Sequence, residues 1–215
     1  MNKTILFDLD GTLIDSTSAI LDGFDTAFKA QGKGAPNHDE LKSLIGHPLD
    51  VMFARLGAPQ NLIDDYIKAY KIRYEQIYLA QTSLLPFAKD AVDLASSIAD
   101  VGVVTTKTSK FSEILLENLG VLNFIKVVVG RDDVLNPKPN AEPVNLALAK
   151  LGKDKRNAFM IGDTQMDLMA AKNAGIKGIG LTCGYADAQS LKEHSDLIFQ
   201  NAYEAVKFLA SDQNR

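Results

Sequence analysis

The chain has 215 residues, of which 46% are hydrophobic and 23% are charged, and its formal net charge is -4. This length suffices for one substantial domain and a small second one, and the composition is that of an ordinary globular protein. The negative balance excludes a general attraction to nucleic acid or to an anionic membrane surface. No apolar run approaches the ~20 residues of a membrane span, so we expect neither partner.

The single cysteine, Cys183, excludes an internal disulfide and favours a reducing compartment. The first apolar run begins directly after Met1-Asn2-Lys3, so we expect no signal peptide and a cytoplasmic protein. No plausible base is near Cys183 in the sequence, which favours a structural thiol over a nucleophile.

The first element in chain order is the apolar run Thr4–Phe7, which predicts a buried strand leading into Asp8-Leu9-Asp10-Gly11-Thr12. Carboxylates at the end of a buried strand are costly to desolvate, and a divalent cation is the usual compensation. Gly11 permits a sharp turn behind the strand. An acidic turn without a metal is the simpler alternative for this pattern alone.

The following interval, from Asp10 to Phe87, contains no convincing strand and has the periodicity of helices. The predicted helices are Ser16–Gln31, His38–Ile45, Leu49–Leu56 and Gln60–Ala80. Tyr66, Tyr70, Tyr74 and Tyr78 recur on one face of the last helix, which favours a helical core over a stacking platform. We therefore predict a helical domain, residues 16–82, inserted into an α/β domain of residues 1–15 and 83–215.

Beyond residue 83, short apolar runs alternate with helical segments, the pattern of a parallel sheet in an α/β fold. The predicted strands are Val101–Thr105, Lys126–Val129, Ala158–Ile161, Lys177–Leu181 and Leu197–Phe199. The predicted helices are Phe87–Ile98, Ser112–Leu119, Pro143–Leu151 and Met166–Ala174. The last three stop at glycines, as left-handed caps require.

Three further polar motifs follow these strands: Thr105-Thr106-Lys107, Lys138 between two prolines, and Gly162-Asp163-Thr164-Gln165-Met166-Asp167. With Asp8 and Asp10 they supply four carboxylates, a hydroxyl donor and a fixed ammonium. This set suits a phosphoryl group held on a hard cation such as Mg²⁺. The scattered histidines and the lone cysteine provide no zinc site.

Each motif residue also has a simpler structural explanation. Asp163 is a candidate helix N-cap, and Asp167 a solvated acid in the first turn of a helix. Lys138 and Lys107 would then be exposed lysines, and Thr106 a threonine at a strand end.

The four motifs, in this order, resemble those of the haloacid dehalogenase-like (HAD) hydrolases over nearly the whole chain. The phosphoglycolate phosphatase-like branch, which includes pyrophosphatases and β-phosphoglucomutases, is the nearest likeness, and the helical insertion is similar to its C1 cap. The resemblance implies a Rossmann-like parallel sheet core with an inserted all-helical cap domain. It also implies a Mg²⁺-dependent phosphatase that acts on a small phosphorylated metabolite.

The resemblance further implies a role for each motif residue. Asp8 would attack phosphorus and form an aspartyl phosphate, and Asp10 would act as general acid and base. Thr105 would bind a phosphoryl oxygen, and Lys138 would neutralise charge in the transition state. The implied metal ligands are Asp8, the backbone carbonyl of Asp10, Asp163 and Asp167.

The substrate is less well defined by the sequence. Thr106 and Lys107 are candidate substrate contacts, as is His47 in the helical insertion, for which a surface-loop histidine is the simpler explanation. Arg55 is a further candidate for binding a second anionic group.

Phosphoglycolate is the leading named substrate. The sequence leaves open whether the protein is a monomer or a homodimer. Many phosphoglycolate phosphatases have Thr-Asn-Lys where this chain has Thr-Thr-Lys, so an inorganic pyrophosphatase is the alternative. β-Phosphoglucomutase-type mutases usually have Asp-Gly-Val with a cap histidine soon after it. This chain has Thr12 instead and its first histidine is His38, which disfavours a mutase. Dehalogenases lack the second aspartate, so Asp10 disfavours a dehalogenase. The intact acidic set disfavours a non-catalytic binding protein on the same scaffold.

Overall fold

The computed structural model describes residues 3–211 of the chain. Met1-Asn2 and residues 212–215, which the predicted α/β domain includes, lie outside the described residues. Two compact units are present: one contains the chain up to Ile14 and from Leu84 onward, and the other is Asp15–Ser83. Assignment of the second unit as a cap stays a prediction. Between residues 3 and 211, no helix is both long and apolar enough to cross a membrane.

The strands, in chain order, are β1 (Lys3–Phe7), β2 (Ile14–Asp15), β3 (Ser83–Leu84), β4 (Ala99–Val104), β5 (Val127–Val129), β6 (Ala158–Gly162), β7 (Lys177–Leu181) and β8 (Ile198–Phe199). Six of them form one parallel sheet in the order β5-β4-β1-β6-β7-β8. The predicted α/β fold class and all six predicted sheet strands are confirmed. The continuous apolar runs of β1, β4 and β6 fit strands buried within a parallel sheet.

The helices are α1 (Thr17–Ala30), α2 (His38–Ser43), α3 (Leu49–Arg55), α4 (Ile63–Ile77), α5 (Ala88–Ile98), α6 (Ser109–Asn118), α7 (Glu142–Leu151), α8 (Gln165–Ala174), α9 (Ala188–Lys192) and α10 (Ala202–Ser211). In the α/β unit, Val144 and Leu148 of α7 share a core cluster with Leu6, Val104 and Met160 of the sheet. Burying each such side chain contributes roughly 1.5–3 kcal/mol, which fixes α7 against the central strands.

Three helix ends were predicted from glycines. Gly120, Gly152 and Gly175 have φ angles of 69°, 63° and 77°, the left-handed conformation expected of these caps. The ends of α6, α7 and α8 are therefore explained by the local sequence.

The helical unit is built on an aromatic core. The ring of Phe53 lies 4.3 Å from that of Phe24 and 5.4 Å from that of Tyr66, measured between centroids. Tyr66, Tyr70, Tyr74 and Tyr78 are all buried, as the core explanation of this stripe predicts.

Two predictions for this part of the chain are wrong. The helix predicted over Gln60–Ala80 begins as a 3₁₀ turn, Gln60–Leu62, and α4 ends at Ile77, where Ala80 N donates to Ile77 O in a tighter turn. The chain also contains the two-residue strands β2 and β3, which pair with each other. Strands this short carry no periodicity that a sequence could reveal.

Candidate active site

Strand register brings the predicted motifs to one edge of the sheet. Phe7 of β1 pairs with Val103 of β4 and with Ile161 of β6. Since the strands are parallel, Asp8, Thr105 and Asp163 all follow at their carboxyl ends, where open α/β sheets bind ligands. Gly11, with φ of 80°, turns the chain directly behind Asp8.

The ammonium of Lys138 is the centre of a buried ion-pair network. Its Nζ donates to Asp8 Oδ1 at 2.7 Å, to Asp167 Oδ1 at 2.6 Å and to the carbonyl oxygen of Val104 at 3.1 Å. An ammonium has three N–H donors, so these bonds engage all of them. No described residue donates a hydrogen bond to Asp8 Oδ2, which leaves that oxygen as the candidate nucleophile.

Both oxygens of Asp167 are occupied, because Oδ2 accepts from the backbone N and the Oγ1 of Thr164, at 3.0 and 2.7 Å. Of these two bonds, the one from the backbone N belongs to the N-terminal capping box of α8. Gly162 makes room for them, since a Cβ on Gly162 would lie 2.3 Å from Asp167 Cβ. Asp167 thereby fixes Lys138 and the start of α8.

Asp163 is held through both of its oxygens as well. Thr12 Oγ1 donates to Oδ1 at 2.8 Å, and Tyr185 N donates to Oδ2 at 2.9 Å. Asp8, Asp163 and Asp167 each offer one carboxylate oxygen to a cluster whose atoms all lie within 4.8 Å of one another. All three residues are buried, so this cluster is a candidate site for a divalent cation.

Burial dominates the acid–base properties of the cluster. It raises the pKa of Asp8 to about 7, although the ammonium of Lys138 opposes this shift. The pKa of Asp163 is also raised well above its usual value, first by burial and then by the charges of Asp8 and Asp167. The pKa of Lys138 is raised, because its two carboxylate partners outweigh its own desolvation.

A second ion pair lies beside this cluster. Lys107 Nζ is 3.3 Å from Asp10 Oδ2, and the side chains are only 9% and 11% exposed. Lys107 N donates to Thr105 Oγ1 at 3.2 Å, and Thr105 is itself buried. Thr106 is partly exposed at the same turn. The site therefore contains the predicted general acid/base, Asp10, in direct contact with a predicted substrate-binding lysine.

The simpler structural explanations fail for four of these residues. Helix α8 has Thr164 rather than Asp163 as its N-cap, and Asp167 is buried instead of solvated. Lys138 is buried, and Lys107 is nearly so.

His47 and Arg55 belong to the helical unit. They approach each other, with Arg55 Nη1 3.3 Å from His47 Nε2. Burial and the positive charge of Arg55 lower the pKa of His47. Whether either residue binds substrate stays a prediction.

Three contributors to the site were not identified as such from the sequence. Thr12 was noted only as part of the first motif, although a hydroxyl two residues after Asp10 was a usable signal. Tyr185 donates its backbone N–H to Asp163, which no side-chain pattern reveals. Gly184 has no Cβ, and a Cβ there would clash with Asp163. Cys183 is half-buried and burial raises its pKa to about 11, in keeping with a structural thiol.

Comparison with known proteins identifies the family. Residues 5–181 match the model of the haloacid dehalogenase-like hydrolases. A phosphoglycolate phosphatase of Yersinia pseudotuberculosis is 33% identical over 204 residues, covering 91% of this chain and 88% of the relative. Pyrophosphatase PpaX of Bacillus velezensis is 35% identical over 191 residues, covering 88% of each.

A solved structure shares the whole fold. A haloacid dehalogenase-like family protein from Streptococcus pneumoniae superimposes with a TM-score of 0.88 at 26% identity, covering 97% of this chain and 98% of that one. The named relatives support a phosphatase enzyme. From its sequence match, its parallel sheet and its clustered motifs, the chain belongs to the haloacid dehalogenase-like hydrolase family.

Proposed function

We propose that this enzyme is a Mg²⁺-dependent phosphatase that hydrolyses a small phosphorylated metabolite through an aspartyl phosphate on Asp8. The observation that carries the proposal is the state of Asp8, a buried carboxylate with one oxygen held by Lys138. Its other oxygen accepts no hydrogen bond from a described residue. A fixed carboxylate with one uncommitted oxygen is suited to nucleophilic attack.

The chemistry of the acidic cluster fits a hard divalent cation. Three buried carboxylates form the cluster, two of them paired with the ammonium of Lys138, and Mg²⁺ prefers such oxygen ligands. Asp8 and Asp163 would hold the ion with the backbone carbonyl of Asp10, and Asp167 would contribute beside its bond to Lys138. When bound, the ion would reduce the repulsion between Asp8 and the phosphate and polarise the phosphoryl oxygens.

The protein residues account for the remaining steps. Asp8 Oδ2 forms a bond to phosphorus while the bond to the leaving oxygen breaks, and Asp10 donates a proton to that oxygen. Water then attacks the aspartyl phosphate, gives its proton to Asp10, and releases phosphate and the Asp8 carboxylate. Thr105 donates to a phosphoryl oxygen, and the charge of Lys138 favours the transition state.

The preferred substrate in this proposal is phosphoglycolate, after the relatives of that name. Inorganic pyrophosphate is the second candidate, favoured by the comparably similar PpaX relative and by Thr106 in place of asparagine. Thr106, Lys107 and His47 stay predicted substrate contacts. A cytoplasmic location, a monomer or homodimer, and the absence of a nucleic-acid partner also stay predictions.

Replacing the nucleophile tests the covalent mechanism. Asp8→Asn should lower kcat by at least about 10³-fold, because the amide cannot attack phosphorus. Acid quenching during turnover should trap a phosphorylated protein for wild type and none for Asp8→Asn. Asp93→Asn, at an exposed position of α5, is the matched control and should retain full activity. Substantial turnover by Asp8→Asn would rule out this mechanism.

Metal removal tests the cation. Activity should be lost in EDTA and return with excess Mg²⁺, whereas Ca²⁺ should bind and inhibit. Ca²⁺ takes more ligands at longer distances, so it would displace phosphorus from the attacking oxygen. The measurement is the initial rate of p-nitrophenyl phosphate hydrolysis at fixed ionic strength. Full activity in the chelator would contradict a metal-dependent enzyme.

Metal affinity should depend on pH. Asp8 has a pKa of about 7 and must lose its proton to become a ligand, so binding strengthens as pH rises through that value. For one proton, the Mg²⁺ dissociation constant should be about tenfold higher at pH 6 than at pH 8, as measured by calorimetry. Asp163, whose pKa is also raised, can only steepen this dependence. Equal affinities at the two pH values would contradict the assignment of these ligands.

The two candidate substrates are separated by their specificity constants. At fixed Mg²⁺, kcat/KM for phosphoglycolate should exceed that for pyrophosphate by at least about tenfold, a preference of roughly 1.4 kcal/mol. p-Nitrophenyl phosphate serves as the unselective reference. The reverse order would identify pyrophosphate as the better substrate and leave the phosphatase mechanism intact.

A further inference from the structure

The loop after β7, residues 182–186, lies against Asp163. Tyr185 N donates to Asp163 Oδ2 at 2.9 Å, and Ala186 N donates to the backbone oxygen of Asp163 at 3.3 Å. Cys183 Sγ lies 3.5 Å from the backbone oxygen of Gly11, in the turn behind Asp8. The loop therefore contacts both the turn behind β1 and the carboxylate that follows β6.

Gly184 lies at the closest approach of this loop to Asp163. A Cβ added to Gly184 would lie 2.1, 2.3 and 2.4 Å from Oδ2, Cγ and Cβ of Asp163. Its φ lies outside the left-handed region, so the φ angle by itself does not require glycine. Glycine is therefore required at position 184 because a larger residue would overlap the side chain of Asp163, and not because of the backbone conformation.

We propose that Gly184 is a positioning residue of the cation site, which sets the orientation of the Asp163 carboxylate. The positioning role of Gly184 rests on the proposed function, in which Asp163 is a metal ligand. With Gly184 present, Thr12 and Tyr185 each bind one oxygen of Asp163 and hold it in the cluster with Asp8. A methyl group would displace the carboxylate from these bonds. Because it would also lie 2.4 Å from Asp163 Cβ, which side-chain rotation does not move, the loop and its donor Tyr185 N would have to shift as well. Either movement degrades the ligand geometry.

The test is the Mg²⁺ affinity of Gly184→Ala, measured by calorimetry without substrate. Groups that orient metal ligands typically change affinity 10–100-fold, so the dissociation constant should rise at least tenfold. Excess Mg²⁺ should restore much of kcat, which a general packing defect would not allow. Gly34→Ala is the matched control, because Gly34 also has φ outside the left-handed region and its added Cβ would meet nothing within 4 Å.

A second pair of variants keeps the test valid if Gly184→Ala unfolds. Asp163→Gly removes the three atoms that would lie nearest to the new methyl group. Adding Gly184→Ala to Asp163→Gly should then leave the thermal unfolding midpoint unchanged, whereas the same substitution in wild type should lower it. Equal lowering in both backgrounds would overturn the proposal.

The outcomes separate this inference from the proposed function. Unchanged Mg²⁺ affinity in a folded Gly184→Ala protein would overturn the positioning role and leave the phosphatase proposal standing. Failure of the wild-type protein to bind Mg²⁺ would instead contradict the metal on which both depend.

Discussion

Burial of like charges is the constraint on which this structure depends. Asp8, Asp163 and Asp167 are buried close together, and Lys138 supplies one positive charge beside them. Taken with the Asp10–Lys107 pair, the ionised site holds two more negative charges than positive ones. A divalent cation would balance that difference. Burial first, and the neighbouring negative charges second, favour the protonated forms of Asp8 and Asp163 and so raise their pKa values.

Sheet register is what makes such a cluster possible. The carboxylates of the cluster come from distant parts of the chain, and parallel pairing of β1 with β4 and β6 places the carboxyl ends of these strands at one level. Glycines then set the distances between side chains: Gly162 makes room for Asp167, while Gly11 and Gly184 make room for Asp163. The acidic groups can approach because these positions lack a Cβ, so the spacing of the site depends on the glycines as well as on the carboxylates.

The sequence predicted the parts of this arrangement that have a local signal. Buried strands have continuous apolar runs, and Gly120, Gly152 and Gly175 end their helices as glycine caps do, so the α/β core was predictable. The strand-end motifs identified the acidic cluster because residues at parallel strand ends must meet. The pairing of Lys107 with Asp10 and the contact of the β7 loop with Asp163 were not predictable, since they depend on loop paths and on backbone donors that have no side-chain pattern.

Lys138 can influence the site in two ways, through its hydrogen bonds and through its positive charge. Its three donors are engaged by Asp8, Asp167 and the carbonyl of Val104, so its first effect is to fix Asp8, the proposed nucleophile, and not to bind substrate. In the proposed reaction the ammonium would still favour negative charge on the phosphoryl group, because Coulomb attraction does not require a hydrogen bond. Direct donors to the phosphoryl oxygens must then come from other groups, among which Thr105 and Lys107 follow the neighbouring strand β4. Lys138 thus orders the carboxylates, while the turn after β4 offers donors for a phosphoryl group. The positions of both depend on the same central strands.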